Sequence, residues 1–270
     1  MRGFRIKSKK NVPALVPAPT LAPTDLQQLK EARRQMEQIG WAMEGLNKLG
    51  NIIDERVARL PARQQEQLKN ISYNVLRKVV QVNLRTMDPE KEDRQPSRAT
   101  FQALVTLSGA IGGAFGLAAF TADLALTTKL MMRSIMDIAR AEGEDLRELD
   151  TQLACLQVFA LGGKSKHDDS LDTGYYATRV SLQSAVKGVA NPLSRILSQV
   201  AGRFSAQVSE KFAAQAIPVI GAAGGAAINM AFITHFQNMA QAHFSIRRLE
   251  RKYGRELVER TYRELGKEVV

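Results

Sequence analysis

The chain has 270 residues, enough for one large domain or two small ones, and 44% of them are apolar, which is ordinary for a globular protein. A single cysteine, Cys155, excludes an intrachain disulfide and favours a reducing compartment. The formal net charge is +11, and five of the basic residues lie among the first ten residues, so the basic excess is largely a property of the N-terminal tail.

Residues 1–24 are predicted to form a basic, proline-rich, disordered tail. Four prolines between residues 11 and 24 favour an extended linker. No continuous apolar segment follows the first basic residues, so we predict no signal peptide and a cytoplasmic protein, peripheral to the membrane. The tail suits an anionic surface, phospholipid or nucleic acid, or else serves solubility alone. Its bases, with no acid among them, are Arg2, Arg5, Lys7, Lys9 and Lys10.

The rest of the chain, residues 25–268, is predicted to be one all-α domain. Thr24 and Gln27 have the spacing of a capping box, which places a helix start just after Pro23. Apolar residues then recur at helical spacing, for instance across a helix predicted over 61–86. No alternation with a period of two indicates a strand. The predicted architecture is a single multi-helix bundle with two central, neutral, glycine-rich helices.

Two stretches are nearly free of charge. Residues 99–128 contain one charged residue, Asp123, and residues 212–246 contain none. Both hold glycines at small-xxx-small spacing, which in a helix lets another backbone approach closely, so we predict that the two glycine faces pack together. Membrane spans are the alternative, but the abundance of Ala, Gly and Thr favours buried helices of a bundle that docks on a membrane. The glycines are Gly109, Gly112, Gly113, Gly116, Gly221 and Gly225.

Further along the chain, glycines mark the helix ends. Gly143 is predicted to end the helix after the first neutral stretch. Helices are predicted over 175–189 and 193–216. The charged C-terminal region is predicted to form two helices separated at Gly254.

Asp123 is the most informative single residue, because an unpaired buried carboxylate is costly. Either it caps the N-terminus of a helix that follows it, or it faces a basic or polar group of the central neutral helix, such as His235, in an internal site. Glu210 and Lys211 are interpreted as boundary charges at the edge of the neutral stretch. The candidate internal polar site consists of Asp123, Arg133, Glu210, His235, Asn238 and His243.

The sequence predicts no metal and no cofactor. His235 and His243 are eight residues apart, whereas a pair that binds a metal on one helix is three or four apart. Core or structurally satisfied histidines are the expected interpretation of both. Gly163-Lys164-Ser165 lacks the earlier glycine and the preceding strand of a phosphate-binding loop. Nucleic acid is an unlikely partner because glutamates interrupt the C-terminal bases.

Several segments together resemble the EcsC protein family, over about residues 60–265. They are MMRSIMDIARAEGEDL, LACLQVFALGG, DDSLDTGYYATR, VSEKFAAQAIPVIGAAGGAAIN, HFQNMAQAHF and RRLERKYG. The resemblance implies an all-helical fold and an association with ABC transport, and it implies no molecular activity. Ala125 stands where the family has a proline, which implies a less kinked helix, and Gln157 replaces a glutamate.

The expected function is therefore non-enzymatic: a helical protein that binds an anionic membrane surface, a lipid or a membrane transporter. The alternative is a hydrolase, for example a peptidase, with a site near Asp123, Glu210 and His235. The sequence shows no nucleophile or metal constellation that would support proteolysis.

Overall fold

The computed structural model describes residues 20–37, 50–86, 100, 102, 116–161, 174–186, 188, 190–217 and 221–267. These residues form nine helices and no strand, which confirms the predicted all-α class. The helices are α1 (Pro23–Glu37), α2 (Gly50–Ala58), α3 (Ala62–Thr86), α4 (Gly116–Ala141), α5 (Leu149–Leu161), α6 (Gly174–Val186), α7 (Pro192–Gln215), α8 (Gly221–Tyr253) and α9 (Arg255–Lys267).

Helix ends follow local chemistry that is visible in the sequence. Gly143 has a φ of 80° and Gly254 a φ of 84°, the left-handed conformation that glycine adopts most easily after a helix. Asn191 caps α7, since its side-chain oxygen accepts a hydrogen bond from the Ser194 N–H at 3.2 Å. The predicted cap at Thr24 is wrong by two residues: α1 begins at Pro23, and the Leu26 N–H donates to the Ala22 carbonyl at 2.8 Å, so Ala22 is the residue that precedes the helix.

Helix α8 is the centre of the bundle and packs against α1, α4, α5, α7 and α9. Helix α4 runs parallel to it, because successive residues pair in rising order: Asp123 with Asn229, then Ser134 with Gln237, then Glu142 with Ser245. The order of contacts with α1 is reversed, so α1 lies antiparallel to the C-terminal part of α8. Most of α8 belongs to the uncharged stretch of residues 212–246, so this stretch supplies the central helix of the bundle.

Two apolar cores lie along α8. The larger involves α3, α4, α5 and α7 and contains a group of aromatic rings in edge-to-face and tilted contact, among them Phe159, Phe204 and Phe236, with ring centroids 5.1 to 5.7 Å apart. The smaller lies at the C-terminal part of α8, where α1, α6 and α9 bury Leu249 and Tyr262. One long helix therefore takes part in both cores.

Some predictions fall outside the described residues. Gly109, Gly112 and Gly113 do, so close packing of the two glycine faces remains a prediction. The bases of the N-terminal tail are also outside. Among the helices that are described, none has both the length and the apolar character needed to cross a membrane.

Candidate functional site

A buried polar cluster surrounds Asp123, about two turns inside α4. Its carboxylate accepts hydrogen bonds from the Lys211 ammonium at 2.7 Å, the Asn229 amide at 2.9 Å and the Gln215 amide at 3.2 Å. The Thr127 hydroxyl, one turn further along α4, is 3.4 Å from the same carboxylate. These five residues, here called the Asp123 cluster, join α4 to α7 and α8.

Lys211 is the cation of this cluster and is completely buried. Its ammonium lies 2.7 Å from Asp123, 3.4 Å from the Thr127 hydroxyl and 5.2 Å from the ring centroid of Phe232. A carboxylate, a hydroxyl and a ring face together replace much of the water that an exposed ammonium would bind. The aliphatic stem of Lys211 shares the apolar face of α7 with Phe204 and Val208.

The charges of the cluster stabilise each other. Burial raises the pKa of Asp123, but the charge of Lys211 and the hydrogen bonds from Lys211, Asn229 and Gln215 outweigh it, so this pKa lies below its ordinary value of 3.8. Burial likewise lowers the pKa of Lys211, and Asp123 acts in the opposite direction. Burial outweighs Asp123, so the pKa of Lys211 lies below its ordinary value of 10.5, and the carboxylate 2.7 Å away opposes that fall.

This arrangement corrects the first interpretation of Asp123 and agrees with the second in part: Asp123 does face a polar group of the central helix, which is Asn229 and not His235. The residue lies inside α4 and does not cap a helix. Its basic partner is Lys211, which the sequence suggested was a boundary charge. His235 lies six residues beyond Asn229 in α8, which is about 9 Å further along the helix axis. The Asp123 carboxylate already accepts three hydrogen bonds and is paired with Lys211. It is therefore better suited to holding three helices together than to acting as a nucleophile or as an acid or base in catalysis.

The other predicted site residues lie at several places. Arg133 is exposed on α4, and Asn238 is half-buried on α8. His235 is buried with its ring 5.3 Å from that of Phe236. Glu210 is half-buried next to Lys211, but its carboxyl is influenced by Asp54 of α2 and not by the cluster. The structure therefore brings Asp123 together with residues that the sequence had not assigned to a site.

The raised pKa of Glu210 predicts that the stability of the fold depends on pH. Burial, and then the charge of Asp54, raise the pKa of Glu210 from 4.5 to about 7. The folded state therefore holds this proton more tightly than the unfolded state, and stability falls as pH rises from about 4.5 to 7. We expect Glu210→Gln to unfold like the wild type at pH 4 and to be up to about 3 kcal/mol more stable at pH 8.

Urea unfolding of both proteins at pH 4, 6 and 8 would measure this difference. Glu66→Gln, at an exposed position of α3, is the matched control and should show no such pH dependence. Equal stability of Glu210→Gln and wild type at pH 8 would contradict the raised pKa.

His243 belongs to a second buried chain of polar contacts. Its Nδ1 forms a hydrogen bond with the Tyr175 hydroxyl at 3.0 Å, and that hydroxyl accepts another from Arg179 at 3.2 Å. Arg179 donates two parallel bonds to Glu250, at 2.7 and 2.9 Å. Burial, and then the charges of Arg179 and Arg247, hold the pKa of His243 well below its ordinary range, so the ring is neutral.

Sequence reasoning missed Lys211, Asn229, Tyr175 and Arg179. A signal existed for Lys211: residues 204, 208 and 211 have the spacing of one helix face, which puts the lysine among core residues. Tyr175 and Arg179 are also one helical turn apart. Nothing in the sequence showed which helices those faces would meet.

No group of three or more His, Cys, Asp or Glu side chains that could hold a metal ion occurs within the described ranges. Gln157, which replaces the glutamate of the family pattern, is buried in α5. Ala125 lies in α4, which continues without a break through this position.

Comparison with known proteins identifies the family of the chain. The model of the EcsC protein family matches residues 24–249, which is most of the chain and includes the whole Asp123 cluster. No curated protein and no solved structure matches the chain significantly.

Proposed function

The chain belongs to the EcsC protein family, and we propose that it is a non-enzymatic helical protein that binds the surface of an anionic membrane. One observation supports the proposal, and it concerns how charge is distributed in the described ranges. Many acidic side chains there form ion pairs with bases of the bundle, whereas several other bases are exposed at the surface. Such a distribution attracts anionic lipids, each nearby Lys or Arg contributing about 1 kcal/mol.

The C-terminal part of α8 illustrates the engaged acids. Four carboxylates there lie 2.7 or 2.8 Å from a basic partner. The pairs are Arg179–Glu250, Arg247–Glu144, Arg248–Glu142 and Lys252–Asp25. These bases are neutralised locally, so they add little to the field that an approaching membrane meets.

Helix α3 illustrates the outward bases. Among residues 62–82, whose side chains are described, four basic residues and one acid, Glu66, are exposed. The bases are Arg63, Lys69, Arg77 and Lys78. Together with the five basic residues of the N-terminal tail, they account for a large part of the excess of basic over acidic residues.

A hydrolase remains the alternative, and Glu210 is the residue that favours it. A carboxyl with a pKa of about 7 suits a general base at neutral pH. Catalysis by Asp123, Glu210 and His235 together has less support, because Lys211 engages Asp123 and Glu210 faces α2. A hydrolase of this kind would lose activity in vivo in Glu210→Gln while keeping its fold.

Membrane binding is tested with vesicles. We expect the full chain to sediment with vesicles of phosphatidylglycerol and phosphatidylcholine, and not with phosphatidylcholine alone. Replacing Arg2, Arg5, Lys7, Lys9 and Lys10 by serine should weaken this binding at least about tenfold, because five positive charges are lost near the surface.

The matched control exchanges Arg and Lys at the same five positions, which keeps the charge and should keep the binding. High salt should release the protein, since ions screen surface charges over about 10 Å at 0.1 M. Absence of sedimentation with anionic vesicles at low salt would overturn the proposed function.

A further inference from the structure

Helix α4 presents an outward face that changes from apolar to basic along its length. Three apolar residues in its first half are exposed at a spacing of four, and two basic residues continue the same face. Leu126, 45% exposed, is among the few large apolar side chains that the described chain leaves in contact with water. The face consists of Ala118, Ala122, Leu126, Lys129 and Arg133 and is here called the α4 face.

One acid of α4 borders the positive end of this face: Asp137 follows Arg133 by one turn, and the charge of Arg133 acts on its carboxyl. Asp123 is buried and engaged with Lys211. Asp137 is half-buried and lies 3.9 Å from Arg140. The chain that leads into α4 is also free of charge, from residue 99 to residue 122. The α4 face is therefore apolar at one end and positive at the other.

Helix α3 carries two further exposed bases at about the level of Arg133. It packs against α4, and Val80 of α3 lines one small cavity together with Met132 and Met136 of α4. Exposed Arg77 and Lys78 lie two or three residues before Val80, so they are at the level of Arg133 along the bundle.

We propose that the α4 face is the surface by which the folded domain lies on an anionic phospholipid bilayer, an inference that rests on the proposed function and assigns it a place. Leu126 enters the boundary between headgroups and acyl chains. Lys129 and Arg133, with Arg77 and Lys78, meet the lipid phosphates. Helices that lie in the interface have this combination of an apolar face and flanking Lys and Arg.

A bilayer fits this surface better than a folded protein partner does. Energetically dominant contacts between proteins usually involve aromatic or Arg side chains held in pockets. The apolar part of the α4 face is instead made of two alanines and one leucine on the convex side of a helix. A fluid bilayer requires only apolar area and charge of one sign, both of which the α4 face offers.

Two variants test the α4 face in the full chain. We expect Leu126→Ser to weaken binding to phosphatidylglycerol-containing vesicles about tenfold, because apolar area no longer enters the bilayer. The double variant Lys129→Gln, Arg133→Gln should lose about tenfold or more. Matched controls are Val180→Ser on α6, where the side chain is 48% exposed, and the double variant Lys30→Gln, Arg195→Gln on α1 and α7; both should bind as the wild type does.

A fluorescent label measures insertion directly. Ala122→Cys carrying an environment-sensitive dye should shift to shorter wavelength and brighten when anionic vesicles are added, while Val180→Cys should not. Native Cys155 interferes little, because it is buried and burial raises the pKa of its thiol. Unchanged thermal unfolding of each variant shows that the fold is intact.

The outcomes separate this inference from the proposed function. If the wild type binds, neither α4 variant weakens the binding and the dye emission does not change, then the α4 face is not the membrane-binding surface. Membrane binding by the tail would then remain as the proposed function. Loss of vesicle binding in the control variants as well overturns the specific assignment to α4. Failure of the wild type to bind anionic vesicles overturns both. Capture of a protein partner through the α4 face, without a vesicle effect, also overturns it.

Discussion

Replacing Lys211 by methionine is expected to lower the free energy of unfolding by about 3–5 kcal/mol. The reason is the Asp123 carboxylate, which accepts a bond from Lys211 at 2.7 Å and would remain buried without a counter-ion. Asn229 and Gln215 would still donate to it, but neutral amides only partly offset a buried charge. Urea unfolding at pH 7, followed by circular dichroism, measures the loss.

Two controls define what the measurement means. The double variant Asp123→Leu, Lys211→Met should recover much of the loss, because removing both charges leaves no isolated ion in the core. Arg59→Ala breaks an ion pair whose side chains are 76% and 61% exposed and should cost no more than about 1 kcal/mol. If Lys211→Met costs no more than Arg59→Ala, the Asp123 cluster does not hold the bundle together.

Acid should weaken the same ion pair. The pKa of Asp123 in the folded protein lies below its ordinary value of 3.8, so its contribution to stability is present above that pH. The contribution is lost as pH falls through the folded pKa, because the carboxyl becomes protonated. The double variant lacks this carboxyl and should therefore show a weaker loss of stability in acid than the wild type.

Arg179→Met should have the second largest effect, a loss of about 3 kcal/mol of unfolding free energy. The change leaves Glu250 without the two parallel bonds that Arg179 donates at 2.7 and 2.9 Å. It also removes the donor to the Tyr175 hydroxyl and the contacts with the rings of Tyr175 and Tyr176, at 5.3 and 5.6 Å. Urea unfolding at pH 7 measures the effect.

Arg179→Lys distinguishes charge from geometry. Lysine keeps the charge but cannot donate two parallel bonds to one carboxylate, so we expect roughly half of the loss. Arg263→Ala removes a base that is 51% exposed and paired within α9, and it should be nearly neutral. Wild-type stability of Arg179→Lys would show that the forked pairing with Glu250 contributes little.

The two buried polar groups have a common role in the architecture. The Asp123 cluster ties α4 and α7 to the first half of α8, and the Arg179 pair ties α6 to its last turns. Buried ion pairs add less to stability than apolar contacts of the same size, but wrong helix registers would leave their charges unpaired. A bundle fixed in this way keeps the outward face of α4 in one orientation, which suits a docking surface.

The sequence alone was sufficient to predict the all-helical fold and the ends of several helices. Apolar residues at helical spacing identified α3, and the glycines at 143 and 254 marked where the chain must adopt a left-handed conformation. The segments that resemble the EcsC family were also readable, and the family match over residues 24–249 agrees with them. These features depend on neighbours in the chain, so local chemistry determines them.

Only the tertiary structure shows which helices pack together and which side chains pair between them. The sequence showed that Asp123 required a partner, but α4 could have presented it to any of several helices. Packing placed Lys211 and Asn229, which are 88 and 106 residues away, against the same carboxylate. The pairing is decided by the way apolar faces fit together and by the cost of burying one charge without another, and neither quantity is contained in a single helix.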